Sequence, residues 1–147
     1  MNPRPTFQPL SPVDAEALLA RHHVGRLAYT HDGQVDIEPI HYVHRGEWIF
    51  CRTAPGTKLT SLGHQPWVAF EVDEIEGPFD WQSVVAHGTV YPVGDGPADD
   101  RARAEALAAI RSFQPEALTA ADPVPERTAL LRIHLQRLTG RRATTRS

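Results

Sequence analysis

The chain has 147 residues, 41% of them apolar and 22% charged, which is enough for one domain, residues 1–147, with a core of its own. A formal charge of −3 excludes the basic footprint that nucleic acid or an anionic membrane surface requires. The lone cysteine, Cys51, excludes an internal disulfide, no apolar run reaches membrane-spanning length, and the start MNPRPTFQPL carries no secretory pattern, so a reducing cytoplasm is expected.

The first element is SPVDAEALLARH, with Ser11 as N-cap, Pro12 at the first helical position, Asp14 at the third, and Ala15, Leu18 and Leu19 as an apolar stripe. From Val24 the period changes to that of strands: VGRLAYT, QVDIEPIHYVH and EWIFCRT, with His31-Asp32-Gly33 and Arg45-Gly46 as turns between them. WVAFEVDEI and WQSVVAHGTVYPV repeat the strand pattern on either side of Glu76-Gly77-Pro78. PADDRARAEALAAIRSF has helical spacing, acids at its start and arginine near its end, as the helix dipole favours. A proline-punctuated connection, QPEALTAADPVPE, then leads to TALLRIHLQRL, where Leu131, Ile133 and Leu135 alternate with Arg132, His134 and Gln136. Six short antiparallel strands with a few peripheral helices predict a mainly β fold, a small barrel in preference to a sandwich or a parallel sheet.

Fourteen arginines accompany a single lysine, Lys58, in IFCRTAPGTKL. Ala54-Pro55-Gly56 ends a strand, and TKLTSLG starts a short helix closed by Gly63. Unpartnered N–H groups and the positive dipole end make such a turn a seat for a phosphate or carboxylate. Arg52, the Thr53 and Thr57 hydroxyls and the Lys58 ammonium could add charge-assisted hydrogen bonds around a dianion. A solvated lysine with Thr57 as a plain cap fits the same residues, and the local pattern leaves both open. Pro39 interrupts QVDIEPIHYVH where the apolar parity switches from Val35 and Ile37 to Ile40 and Tyr42. Either a bulge that frees backbone groups for a ligand or an ordinary edge-strand proline accounts for it.

Taken together and in order, VGRLAYT, EPIHY, IFCRTAPGTKL, VAFEVDE, WQSVVAHGTVYPV and TGRR resemble the pyridoxamine 5′-phosphate oxidase-like superfamily, the flavin-binding split β-barrels. The resemblance implies a six-stranded Greek-key split barrel, a homodimer with two flavin sites at its interface, and an FMN-dependent oxidoreductase acting on a small molecule. It places the FMN phosphate at Arg52, Thr53, Thr57 and Lys58, counts Cys51 among the cofactor-binding residues, and lays the flavin ring and ribityl chain along Pro39, Ile40, His41 and Tyr42. It brings Trp81, Gln82 and Ser83 to the flavin across the dimer interface. The alternatives among similar proteins are a deazaflavin-dependent reductase and a non-enzymatic module that binds flavin or haem, and proteins resistant to nitroimidazole drugs are similar as well, which implies nitro-group reduction as a side activity. Two departures stand out. His41 replaces the Asn common in relatives, and the C-terminal substrate residues of the vitamin-B6 oxidases have no counterpart, which points away from that substrate.

His41 is a candidate proton donor beside a flavin, a hydrogen-bonded strand histidine being its other use. Cys51 is read as a small buried hydrophobe, with no activating base next to it. Metal binding is not expected: HExxH is missing, and His41 and His44 point to opposite faces of a strand. GxSxG and a strand-linked GxGxxG are missing too, which sets aside serine-hydrolase and dinucleotide-fold readings. Glu71, Asp73, Glu74 and Glu76 are expected to form a solvated strand end, Trp48 and Trp67 to pack, and Arg141 and Arg142 either to reach a phosphate or to end the chain as a solvated tail.

Overall fold

In the computed structural model, which describes residues 4–145, the elements follow the expected order. They are β1 (Thr6–Pro9), α1 (Pro12–Arg21), β2 (Val24–His31), β3 (Gln34–Arg45), β4 (Trp48–Thr53), α2 (Thr57–His64), β5 (Trp67–Gly77), β6 (Asp80–Val93), α3 (Asp100–Phe113) and β7 (Ala129–Thr144). All six predicted strands form. The added strand is β1, which pairs with the far end of β7, Pro9 opposite Arg141 and Gln8 opposite Arg142. Arg141 and Arg142 therefore belong to a strand and not to a tail, because β7 runs for 16 residues and TGRR continues its ladder.

The strand order β7-β4-β3-β2-β5-β6 closes on itself through β6–β7, giving an antiparallel barrel. One edge of β7 serves β6 along most of its length, while the other serves β4 from Ala129 to His134 and β1 from Arg141 onward. Alternation then dictates the interior: Leu27, Ile40, Tyr42, Ile49, Cys51, Phe70, Val72, Val84, Leu131 and Ile133 are buried in one cluster. Ala15, Leu18 and Leu19 of α1 and Leu62 of α2 join it. The apolar face of α3, Ala106, Ala109 and Ile110, packs on Val43, Phe50 and Leu130 outside the sheet.

Local chemistry explains the connections. Asp32 (φ 49°) and Gly33 (φ 74°) form the two-residue loop between paired His31 and Gln34, the left-handed geometry that suits a tight hairpin. The Ser11 hydroxyl accepts the Asp14 N–H at 3.1 Å and starts α1 as expected. α2 runs through Gly63 to His64, one residue beyond the expected stop. Pro39 causes no bulge: the β2–β3 register is unbroken, with Arg26 opposite Pro39. Trp67 is 65% exposed and Val35 is 80% exposed, so neither belongs to the core. Trp48 does pack, edge-on to Tyr91, with the Arg132 guanidinium 4.7 Å from its ring centroid.

The acids of β5 are not simply solvated. Arg21 donates to both Glu74 oxygens at 2.7 Å, and His22 pairs with the same carboxylate. Arg21 and then His22 hold the Glu74 carboxyl down to about 2. Glu71 and Asp73 share Arg26 at 3.8 and 3.7 Å. Burial, reinforced by the neighbouring Asp73, pushes the Glu71 carboxyl up to about 7.

The one register shift between β6 and β7 places His87 opposite Arg137 and Gly88 opposite Leu135, making Gln136 the extra residue of a bulge. A Cβ on Gly88 would lie 2.2 Å from the His134 carbonyl oxygen, a backbone atom that cannot step aside. Gly88→Ala is therefore expected to cost roughly 3 kcal/mol, read as a lower midpoint in urea unfolding. Glu71 gives a pH signature. Its folded state binds a proton that the unfolded chain releases near the ordinary carboxylate value, so its contribution to stability falls as pH rises from about 4.5 to about 7. Glu71→Gln should flatten that part of the stability–pH curve, and an unchanged slope would rule out the assignment.

Candidate functional site

The site arises where two neighbouring strands part. β3 and β4 pair from Arg45–Trp48 to Tyr42–Cys51, and there the ladder stops. Toward its start β3 stays with β2, His41 opposite Val24, whereas β4 runs on against β7 with Thr53 opposite Ala129. The facing edges of Ile40–His41 and Arg52–Thr53 are thus unlaced, and a cleft of about 430 Å³ lies between them. Val24, Glu38, Pro39, Ile40, His41, Arg52, Thr53, Ala54, Lys58 and Arg127 line it.

Of the residues singled out in the sequence, Pro39, Ile40, His41, Arg52, Thr53 and Lys58 meet here. Thr57 starts α2 next to Lys58. The ammonium of Lys58 donates to a Glu38 carboxylate oxygen across the cleft, and both side chains keep solvent access. Tyr42 and Cys51 turn into the barrel. The Tyr42 hydroxyl donates to the Leu19 carbonyl at 2.5 Å and its N–H to the His23 carbonyl at 2.9 Å. Cys51 is 1% exposed, and burial pushes its thiol up to about 12, so it holds no thiolate at neutral pH. Trp81 and Gln82 line a different depression with Gln8, Glu74, Glu76, Asp80, Arg142 and Thr144, and the Ser83 hydroxyl donates to Glu71 at 3.0 Å. These residues do not reach the cleft lining.

Arg52 lines the cleft, yet its guanidinium is occupied. It donates to Asp122 Oδ1 at 3.3 Å and Oδ2 at 2.5 Å, to the Val124 carbonyl at 3.1 Å and, through Nε, to the Arg127 carbonyl at 2.9 Å. Arg127 also lines the cleft, and its guanidinium donates to His41 Nδ1 at 3.4 Å. Burial first, then Arg127 and His23, lower the His41 pKa, so its imidazole is neutral at neutral pH. With Nδ1 accepting, the proton sits on Nε2. The cleft thus combines two unlaced backbone edges, the basic side chains of Lys58 and Arg127 beside the occupied Arg52, one carboxylate and a neutral histidine. Arg127 and Asp122 escaped the sequence reading because they lie in the proline-rich connection, and only the β4–β7 register brings that connection to the cleft.

A family model described as pyridoxamine 5′-phosphate oxidase matches residues 11–142. The chain belongs to the pyridoxamine 5′-phosphate oxidase-like family. Its barrel superposes on that of a FAD-binding protein from Mesorhizobium loti with a TM-score of 0.73 and 25% identity, covering 92% of this chain and 96% of that one. A FAD-binding protein from Mycobacterium smegmatis gives a TM-score of 0.66 and 29% identity, over 93% of this chain and 99% of the other. An uncharacterised protein of Rhizobium meliloti (strain 1021) is 32% identical over 79 residues, 54% of this chain and 52% of that relative. The match with that relative thus spans about half its length.

Proposed function

We propose that this family member binds a flavin nucleotide in the β3–β4 cleft and serves as an oxidoreductase for a small-molecule substrate. The observation that carries the reading is the parting of β3 and β4 beside Lys58 and Arg127. A flavin nucleotide needs a cationic seat for its phosphate and backbone edges for its ring, and this cleft has both. The flavin proposed is FMN, while the structurally similar proteins from M. loti and M. smegmatis are named for FAD, which shares the ring and first phosphate. When bound, a flavin supplies two-electron hydride chemistry.

The chain's own groups then bind and orient. The Lys58 ammonium, leaving or sharing Glu38, faces the phosphate together with the start of α2 and the Thr53 and Thr57 hydroxyls. Pro39, Ile40 and His41 offer their unlaced edge to the ring, and the His41 Nε2–H is a neutral donor that a reacting ligand can use. A second copy completes the site in this reading. Phe7, Val35, Ile37, Trp67, Ile75 and Phe79 are exposed apolar side chains on the outside of the barrel, more than a lone soluble domain needs. An isologous homodimer would cover them and could bring the Trp81–Ser83 segment of one protomer to the cleft of the other. Among the described residues no helix is long and apolar enough to cross a membrane, and a free buried thiol suits a reducing cytoplasm.

The reading is tested by titrating the protein with FMN and with FAD and following flavin fluorescence. Lys58→Ala is expected to weaken the bound flavin by roughly 1.5–3 kcal/mol, tenfold or more in affinity, and unchanged binding would remove Lys58 from the phosphate seat. Light scattering at micromolar concentration should give the mass of two chains, and a flavin-loaded monomer would contradict a shared site.

A further inference from the structure

The connection formed by residues 114–128 is a strap that crosses from α3 to β7 and carries Arg127 to the cleft. It contains Pro115, Pro123 and Pro125, has no regular ladder of its own, and holds Leu118 at a φ of 57°. Such a segment takes one shape only if something buried fixes it. Asp122 does so from inside: its side chain is 1% exposed, and its two oxygens accept four hydrogen bonds. The Leu118 N–H reaches Oδ2 at 2.8 Å, the Val124 N–H reaches Oδ1 at 3.0 Å, and Arg52 supplies the other two. Arg52, only 3% exposed, returns to the strap through the carbonyls of Val124 and Arg127. The chain of contacts runs from Asp122 through Arg52 to the Arg127 backbone, and from the Arg127 side chain to His41.

We propose that Asp122 is a positioning residue of the cleft: acting through Arg52, it sets the strap so that Arg127 stands as the second cation of an anion site, facing His41. The ligand class, a phosphate-bearing nucleotide, rests on the flavin reading above, whereas the placement of Arg127 does not. Asp122 is not among the residues lining the cleft, whereas Arg127 and Lys58 both are. The charged and titratable groups around His41 are Arg127 of the strap, Arg52 of β4, Lys58 of α2, Glu38 of β3 and His23 of the α1–β2 link. Among them a change at Asp122 reaches Arg52 directly and Arg127 through it, and comparing the double variant with Arg127→Gln alone separates the two. Its charge lowers the His41 pKa, so His41 reports where Arg127 stands.

The test is an NMR pH titration of the His41 ring in the full chain without added ligand, assigned with a His41→Gln variant. It is run for wild type, Asp122→Asn, Arg127→Gln and the double variant, each then titrated with FMN. Arg127→Gln should raise the His41 midpoint, Asp122→Asn should raise it as well, and the double variant should match Arg127→Gln alone. FMN affinity should fall about tenfold in each single variant and no further in the double. An Asp122→Asn protein that is less stable but keeps the wild-type His41 midpoint would overturn the proposal, as would additive losses of FMN affinity. Should Asp122→Asn not fold, Arg52→Lys carries the test, since it keeps a cation beside Asp122 but loses the Nε–H to the Arg127 carbonyl. A His41 midpoint unchanged in that variant also overturns the proposal. Wild-type protein that binds neither FMN nor FAD refutes the flavin reading, and the ligand-free titration still decides the role of Asp122.

Discussion

A sheet of this size closes into a ring only if its end strand is met by another, and the long β7 meets that requirement. It lends one edge to β6 and divides the other between β4 and β1, so closing the ring and sealing the N-terminal segment are done by a single element. The division has a consequence for β4. β4 pairs on both sides from Trp48 to Cys51, then follows β7 alone as far as Thr53, while β3 stays with β2 through an unbroken register from His31–Gln34 to Val24–His41. Two neighbours with different obligations must part, and the β3–β4 cleft is the place where they do. The opening is a property of ring closure, requiring no local defect in β3. That is why Pro39 sits comfortably at its lip: with β4 turned away, the missing N–H leaves no rung of a β3–β4 ladder unmade.

The buried Arg52–Asp122 pair answers a second constraint. Two charges removed from water are costly unless every donor and acceptor finds a partner. Here Asp122 accepts four hydrogen bonds, and Arg52 spends Nε and both terminal nitrogens on the strap. The strap's own backbone supplies much of that satisfaction, so the pair and the strap stabilise each other, and losing either partner would strand a charge indoors. Arg111 adds a second tie from α3, donating through Nε to the Ala117 carbonyl at 2.9 Å. A proline-rich connection thereby becomes a fixed wall of the cleft.

Most of the fold was legible because its signals are local. The alternation Leu131-Ile133-Leu135, the Asp32-Gly33 hairpin and the Ser11 cap each report on the few residues around them. β1 escaped notice since TFQP is short and exposed throughout, and its only reason to be a strand is the spare edge of β7. Cys51 and Tyr42 were placed beside a ligand by resemblance, and their segments do border the cleft, but strand alternation turns both side chains inward. The Glu71, Asp73 and Glu74 carboxylates read as solvated because their partners, Arg26, Arg21 and His22, lie about fifty residues away in sequence. Arg127 shares that difficulty in a sharper form: nothing within its own segment distinguishes it from Arg137 or Arg141.

The choice of lysine over arginine at position 58 follows from what each cation does elsewhere in the molecule. Arginine is used where geometry is to be fixed: the bidentate grip of Arg21 on Glu74, the fork of Arg52 on Asp122, the stack of Arg132 on Trp48. A planar guanidinium matched to one partner gives up several aligned hydrogen bonds when it changes partners. An ammonium on a four-carbon stem is a compact point charge that can rotate between acceptors at little cost. Lys58 holds Glu38 in a partly open cleft, and in the proposed flavin site the exchange of that carboxylate oxygen for a phosphate oxygen would require only a change of rotamer. The fixed cation of the cleft is supplied by the strap and the exchangeable one by α2, and a site with one of each can be ordered before a ligand arrives and still admit it.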